Sequence, residues 1–186
     1  MLHEVMDYYG VHRDFRHAGY FATEAQQQLS TALKAAIKQG QLIAVAGIVG
    51  SGKTTLLHRV QDELMREKEV LVARSLAVDK DRVELRTLIM ALFYDLATEK
   101  DVKIPTQPET RERQLLELIS KRRKPIALFI DEAQALPGKT LTELKRLMEL
   151  VQQQGDRLAV ILAGHPKLQH DLRRPAMEEI GARASV

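Results

Sequence analysis

The sequence predicts an α/β fold with a parallel β-sheet, and three features of the chain support that prediction. Short apolar runs alternate with longer segments of helical periodicity, as in strands joined by right-handed helical crossovers. The runs at 126–130 and 158–163 are apolar throughout, which is typical of central strands covered on both faces. A glycine-rich loop at 47–52 separates an apolar run from a helical pattern.

The composition is typical of one packed domain. The chain has 186 residues, of which 45% are hydrophobic and 28% are charged, so a packed core is expected rather than global disorder. It contains no cysteine, which excludes disulfides and thiolate metal sites and favours a reducing cytoplasm. No apolar run approaches the length of a membrane span, and residues 1–10 do not read as a signal peptide. We therefore expect a cytoplasmic protein with no membrane partner, whose net charge of +3 permits an anionic partner.

Residues 1–22 form a segment rich in aromatic and histidine side chains, ahead of a domain at residues 23–186. We expect the rings to hold this segment against the core. A compatible interpretation is that some of these side chains line an adenine pocket beside the glycine-rich loop. The side chains concerned are Tyr8, Tyr9, His12, Phe15, His17, Tyr20 and Phe21.

The first elements of the domain have clear boundaries in the sequence. Thr23 is a predicted N-cap, and the apolar stripe that follows it continues to about residue 39, where Gly40 ends the helix. The apolar run at 42–46 predicts the first strand. After the glycine-rich loop, apolar residues at helical spacing predict a helix at 53–68.

The second half of the pattern continues the alternation. A run rich in β-branched residues at 70–73 predicts a strand, and two prolines within 99–108 predict a loop. The helix predicted at 109–121 begins acidic and ends basic, as the helix dipole prefers. The other predicted elements are helices at 83–98 and 140–153, strands at 126–130 and 158–163, a broken helical segment at 167–182 and the start of a last strand at 185–186.

Residues 47–54, Gly-Ile-Val-Gly-Ser-Gly-Lys-Thr, fit the phosphate-binding pattern G-x-x-x-x-G-K-[ST] between a strand and a helix. The glycines let several backbone N–H groups point at one anion, and the following helix adds the positive end of its dipole. We expect Lys53 to reach the β- and γ-phosphates of ATP, Thr54 to ligate Mg²⁺ and Thr55 to contact the α-phosphate. The alternative is a glycine-rich turn without a ligand. The predicted nucleotide-binding residues are Gly47, Val49, Gly50, Ser51, Gly52, Lys53, Thr54 and Thr55.

An acidic pair, Asp131 and Glu132, follows the buried strand at 126–130. The carboxyl ends of parallel strands face the ligand crevice, so Asp131 is expected to hold Mg²⁺, through water, opposite Thr54. Glu132 is the candidate general base that polarises the attacking water. The alternative for both residues is a solvated turn.

His165 ends the strand at 158–163, where its side chain can reach the γ-phosphate or the lytic water; the alternative is a structural hydrogen-bonding role. Arg183 is the candidate arginine finger, a residue that stabilises the transition state from a neighbouring subunit. It precedes the predicted last strand, and Arg173 and Arg174 are its rivals. Each of the three arginines could instead be a solvated surface charge.

The segments GIVGSGKTT, ALFIDEAQ and VILAGHPKL, in this order, resemble the core of an AAA+ ATPase. Within that family, this sequence is similar to two related groups. One is the ATP-binding proteins encoded beside transposases, and the other is the general secretion pathway protein A ATPases. The resemblance covers nearly the whole chain and implies a three-layer αβα sandwich of the P-loop NTPase class with sheet order 5-1-4-3-2. It also implies that Glu132 is the catalytic base, that His165 lies at the sensor-one position and that Arg183 lies near the finger position. This chain ends where the helical lid of the family begins.

The resemblance also implies partners. We expect an ATP- and Mg²⁺-dependent ATPase that self-associates into a ring or filament on double-stranded DNA and regulates transposition with a transposase. Cations expected to track the phosphate backbone are Lys80, Arg82 and Lys103, with Lys100, Arg111 and Arg113 nearby; solvated charges are the alternative. The alternative function is the ATPase of a general-secretion assembly machine. A small-molecule kinase and a degenerate nucleotide-binding scaffold are further alternatives, disfavoured because Asp131-Glu132 indicates hydrolysis.

Overall fold

The computed structural model describes residues 8, 10, 23–75, 82–97, 104–174 and 184–185 of the chain. The elements alternate as the sequence predicts. The helices are α1 (Glu24–Lys38), α2 (Lys53–Glu67), α3 (Leu85–Leu96), α4 (Pro108–Arg122), α5 (Gly138–Gln153) and α6 (Pro166–Leu172), with a 3₁₀ turn at Ala133–Ala135. The strands are β1 (Leu42–Ala46), β2 (Leu71–Arg74), β3 (Ile126–Ile130), β4 (Leu158–Gly164) and β5 (Ala184–Ser185).

All five strands join one parallel sheet in the order β2-β3-β4-β1-β5. Read from the opposite edge, this is the order 5-1-4-3-2 that the family resemblance implies. Strand β4 lies between β3 and β1, with Leu128 and Leu42 both aligned to Val160. The carboxyl ends of β1, β3 and β4 therefore lie side by side, which brings three predicted site segments to one edge.

Helices cover both faces of the sheet and make a three-layer sandwich. Alternate residues of the central strands point to opposite faces: Leu128 packs with the residues of α3, α4 and α5, whereas Phe129 packs with those of α1 and α2. Both residues are almost fully buried. This two-sided burial explains why β3 and β4 are apolar at every position.

Helix α1 begins at a capping box. The Thr23 hydroxyl accepts a hydrogen bond from the Gln26 N–H at 3.3 Å, and the Gln26 side chain accepts one from the Thr23 N–H at 3.2 Å. The helix ends at Lys38, and Gly40 follows with a left-handed φ of +74°, which a glycine adopts without strain. Both boundaries agree with the sequence prediction to within one residue.

Other boundaries differ from the predictions. Helix α3 is shorter than 83–98, α5 begins two residues before 140, and β2 begins at Leu71 rather than at residue 70. The last strand is Ala184–Ser185, one residue earlier than predicted. These ends depend on tertiary hydrogen bonds, such as the one from the Thr140 hydroxyl to the Val83 carbonyl at 2.7 Å, which periodicity does not reveal. The assignment of 1–22 as a separate segment stays a prediction, since almost all of it lies outside the described residues.

An ion-pair cluster joins α1 to α2 across the outer layer. The Lys34 ammonium lies 2.8 Å from the Glu67 carboxylate and 3.0 Å from that of Glu63, which also pairs with Arg59 at 3.1 Å. The hydrogen bond from Lys34 lowers the pKa of Glu63, and the hydrogen bond to Glu67 raises the pKa of Lys34. Each charge thus stabilises its partner's charged form.

Replacement of Lys34 by Ala is expected to lower the free energy of unfolding at pH 7 by about 0.5–1 kcal/mol, since partly exposed pairs contribute little each. Because the pKa of Glu63 is lowered in the folded protein, its contribution is present above the ordinary value of 4.5 and is lost as the pH falls through the folded value. Urea unfolding should therefore show a smaller difference in free energy of unfolding between the wild type and Lys34→Ala at pH 3 than at pH 7. Lys121→Ala, at an exposed lysine on α4, should show neither effect.

Candidate active site

The glycine-rich loop lies at the carboxyl end of β1, directly beside the end of β4. The Gly47 N–H donates to the Gly164 carbonyl at 3.1 Å, so the first residue of the loop is fixed to the neighbouring strand. The loop then turns outward, and Ile48 and Val49 are 68% and 85% exposed. Because these two apolar side chains lie in solvent, the inside of the loop is lined by backbone rather than by their side chains.

Two of the loop glycines are required by the backbone and one by close packing. Gly50 and Gly52 have left-handed φ angles of +83° and +80°, which side chains disfavour. A Cβ at Gly47 would lie 2.8 Å from the Ser51 hydroxyl oxygen. The three glycines of the loop thus permit one tight turn, with space inside it for a single side-chain group.

Lys53 fills that space with its ammonium group. Its Nζ donates to the carbonyl oxygens of Gly47 at 2.7 Å and Ile48 at 2.8 Å. Helix α2 begins at the same residue, with no side-chain cap at Gly52 and no acidic residue in the first turn. The N–H groups of the first turn are therefore not capped by a side chain, and the positive helix end and the ammonium together form a site suited to an anion.

Thr54 and Asp131, the two predicted magnesium ligands, are in direct contact. The Thr54 hydroxyl donates to Asp131 Oδ2 at 3.0 Å, which joins the start of α2 to the end of β3. The other carboxylate oxygen of Asp131 accepts the Glu132 N–H at 2.9 Å. A hydroxyl and a single carboxylate are a donor set that fits Mg²⁺ completed by phosphate oxygens and water.

Across the described ranges, no cluster of three or more metal-ligating His, Asp or Glu side chains occurs.

Glu132 lies in a strained backbone conformation next to this contact. Its φ is +54° and its ψ is +36°, a left-handed conformation that a residue with a Cβ seldom adopts. Such strain costs roughly 1–3 kcal/mol and clusters at functional sites. The Glu132 side chain is exposed at the sheet edge where the loop lies.

Gln134 is a site residue that the sequence analysis missed. Its amide nitrogen donates to a Glu132 carboxylate oxygen at 2.5 Å, and its amide oxygen accepts the His165 N–H at 3.0 Å. A Cβ at Gly164 would overlap this amide oxygen, so a glycine is needed where β4 ends. The available signal was the position of an amide two residues after an acidic pair.

The remaining predicted residues are placed as follows. His165 is the exposed N-cap residue of α6, at the same edge as Glu132. Arg173 and Arg174 are exposed at the end of α6, and Arg174 pairs with Asp171 at 3.1 Å. The proposed finger and two of the proposed DNA contacts, Arg183, Lys80 and Lys103, lie outside the described residues.

Two of the cations proposed for DNA lie on either side of one groove. Arg82 is exposed near the start of α3, as expected of a backbone contact. Arg111 is only 5% exposed, so the alternative that it is a solvated charge is wrong. It occupies the buried face of α4 together with Leu115 and Ile119.

Comparisons with known proteins agree with the fold. Residues 36–172 match a sequence family described as AAA domain. General secretion pathway protein A of Aeromonas hydrophila is 27% identical over 149 residues, which are 79% of this chain. Those residues are only 26% of that relative, so this chain spans about a quarter of its length.

Solved structures share the fold. Cdc6p from Pyrobaculum aerophilum matches 87% of this chain with a TM-score of 0.63 and 19% identity. The Aeropyrum pernix ORC2 protein, solved as ADPNP–ADP complexes, matches 92% with a TM-score of 0.66 and 17% identity. The Aeropyrum pernix ORC1 protein, solved in complex with DNA, matches 93% with a TM-score of 0.58 and 18% identity. The matched regions are 43%, 49% and 47% of those chains.

Proposed function

The chain belongs to the AAA domain family, and from that premise we propose that it binds ATP with Mg²⁺ and hydrolyses ATP at the edge formed by β1, β3 and β4. The observation that carries the proposal is the contact between Thr54 and Asp131 at 3.0 Å, beside the ammonium of Lys53. A hydroxyl, a carboxylate and a cation meet there at an uncapped helix start, which is the arrangement that a nucleotide triphosphate with its metal ion requires.

Each residue of the site has a proposed role. The backbone N–H groups of 47–54 bind the β-phosphate, Lys53 contacts the β- and γ-phosphates, and Thr55 contacts the α-phosphate. Thr54 and Asp131 hold Mg²⁺, directly or through water, and the bound ion neutralises charge at the β- and γ-phosphates. His165 contacts the γ-phosphate or the lytic water, and Arg183 reaches a neighbouring subunit as the finger.

Glu132 is the proposed general base for the chemical step. Its carboxylate accepts a proton from a water molecule whose oxygen attacks the γ-phosphorus. The bond from the γ-phosphorus to its bridging oxygen breaks, and ADP and inorganic phosphate leave. Gln134 already holds one oxygen of this carboxylate, which leaves the other for the water.

The proposed biological role is ATP-dependent assembly on duplex DNA to regulate transposition, by target selection and recruitment of a transposase. It is supported by the sequence resemblance to transposon-encoded ATPases and by the fold shared with a protein solved in complex with DNA. We place the protein in the cytoplasm as part of this proposal. Within the described part of the chain, no helix combines the length and apolarity of a membrane span.

A second candidate function is favoured by one observation. The match to General secretion pathway protein A of Aeromonas hydrophila covers 79% of this chain, which supports an ATPase of a secretion assembly machine. The two candidates share the ATP chemistry and differ in the partner. Binding to DNA therefore separates them.

The ATP-bound protein is expected to assemble and to bind duplexes of unrelated sequence with similar affinity. Its affinity for DNA should fall steeply with salt. A plot of the logarithm of the binding constant against the logarithm of the salt concentration should fall with a slope of about 0.9 for each neutralised phosphate. Replacing Lys80, Arg82 and Lys103 together by Ala should weaken binding to all duplexes alike and flatten the slope, because phosphate contacts carry no base information. Fluorescence anisotropy measures the binding, and sedimentation velocity measures the assembly.

The matched control replaces Arg66, Lys121 and Arg146, three exposed cations on α2, α4 and α5 that are not proposed to contact DNA. This triple variant should keep the wild-type slope. If the ATP-bound wild type binds no duplex even at low salt, the transposition proposal is contradicted and the secretion candidate is favoured.

A further inference from the structure

Three helices begin at one groove of about 770 Å³. Helices α3 and α4 run in the same direction, since Arg122 in the last turn of α4 donates to the Leu96 carbonyl at the end of α3. The Thr140 hydroxyl at the start of α5 donates to the Val83 carbonyl just before α3. The groove is therefore lined by the first turns of all three helices, and no residue of the candidate nucleotide site lines it.

The N-terminal ends of these helices lack side-chain caps. Neither Glu84 before α3, nor Gln107 before α4, nor Pro137 before α5 makes a side-chain cap hydrogen bond. The N–H groups of a helical first turn have no partner inside the helix. Three positive helix ends thus converge at the groove without a side-chain acceptor.

Arg111 is the second, independent feature of the groove. It is 5% exposed and lines the groove from the first turn of α4, and its Nε–H has no hydrogen-bond partner among the described residues. A guanidinium stays charged and is almost never buried without a partner. Glu84, Glu112 and Glu143 also line the groove, yet none forms an ion pair with Arg111 in the described part of the structure.

We propose that this groove is a second anion site, which binds a phosphate group of a small phosphorylated ligand through Arg111. Phosphate oxygens can accept hydrogen bonds from the Arg111 guanidinium where it lines the groove and from the uncapped N–H groups of the helix starts. A carboxylate has two oxygens in one plane, so it can accept hydrogen bonds from one edge of a guanidinium. It cannot also accept from N–H donors that converge from three helices, as the tetrahedral oxygens of a phosphate can. Arg86 and Lys139 also line the groove; Lys139 pairs with Glu143 at 3.8 Å, and Arg86 adds further positive charge.

The acidic residues that line the groove favour a small phosphorylated ligand over the phosphate backbone of a nucleic acid. Glu84, Glu112 and Glu143 line the groove together with the cations, so a neighbouring phosphate of a nucleic-acid backbone would meet like charge. A single terminal phosphate avoids that repulsion. The volume of the groove is also within the range of ligand pockets, roughly 300–1,000 Å³. These features favour a small ligand over DNA.

Arginine-detected NMR tests the proposal with inorganic phosphate as the probe, at constant ionic strength. The reference protein carries Lys53→Ala alone, and the test variant carries Arg111→Gln in addition. The Lys53→Ala change is expected to weaken phosphate binding at the glycine-rich loop, so that the groove is measured by itself. The Arg111 Nε–Hε signal should shift in a saturable way, with an affinity of roughly millimolar order. In Arg111→Gln, the phosphate-dependent rise in melting temperature should be lost.

Arg113→Gln is the matched control, because Arg113 lies on the same helix with 84% of its side chain exposed and should leave the response to phosphate unchanged. Arg111→Met separates binding from folding: removing an unpaired buried charge should preserve or raise the melting temperature without phosphate, while phosphate no longer raises it. An Arg111 signal that phosphate does not move overturns the proposal. A signal moved by a short DNA duplex but not by inorganic phosphate also overturns the small-ligand assignment.

Discussion

Replacement of Glu132 by Gln is expected to lower ATP turnover by about 10²-fold or more while ATP binding persists. The substitution keeps the length of the side chain and removes only its ability to take a proton. The new amide oxygen can still accept the hydrogen bond that Gln134 donates at 2.5 Å in the wild type, so the local structure should survive. Steady-state phosphate release measures turnover, and calorimetry measures binding.

Glu117→Gln is the control for this prediction, since Glu117 is an exposed carboxylate on α4 that pairs only with Arg113 among the described residues. Its turnover should equal that of the wild type. Undiminished hydrolysis in Glu132→Gln would assign Glu132 a structural role, and a loss of ATP affinity would show that the carboxylate contributes to the binding of the ground state.

Replacement of Lys53 by Ala is expected to weaken ATP binding at least tenfold, because a charge-assisted hydrogen bond to phosphate contributes about 1.5–3 kcal/mol. The ammonium already lies inside the loop, 2.7 Å from the Gly47 carbonyl oxygen, so little rearrangement is needed to meet a phosphate. Calorimetric titration with ATP and with ADP measures the change, and the loss should be larger for ATP because Lys53 is also proposed to contact the γ-phosphate.

Lys121→Ala removes one exposed lysine far from the loop and should leave the ATP affinity unchanged. The melting temperature of Lys53→Ala without nucleotide should remain near that of the wild type, because neither carbonyl that loses its donor, that of Gly47 or that of Ile48, is fully buried. Equal ATP affinity of Lys53→Ala and the wild type would contradict the assignment of residues 47–54 as the phosphate loop.

The fold and half of the site follow from local patterns. Alternating apolar runs locate the strands, and the glycine-rich pattern identifies Lys53 and Thr54. The expectation that Asp131 lies opposite Thr54 needs only one more fact, that parallel strands end at the same edge of a sheet. Residues 77 positions apart are thus brought together by topology that the sequence displays.

The missed features depend on packing. The left-handed φ of Glu132 and the bridge made by Gln134 arise where β3 and β4 end side by side, and no local pattern encodes them. Arg111 was within reach of the sequence, because it precedes Leu115 and Ile119 at spacings of four on the buried face of α4. It was not assigned to that apolar stripe because it is charged, and charged residues are usually solvated.

The Gln134 bridge links the Glu132 carboxylate mechanically to the start of α6. Gln134 bonds both the carboxylate and the His165 N–H, and α6 begins at the next residue, Pro166. A displacement of α6 along its axis therefore either carries the carboxylate with it or breaks one of two hydrogen bonds. We therefore expect force applied to the exposed far end of α6, at Arg173, to reach the Glu132 carboxylate, the proposed general base.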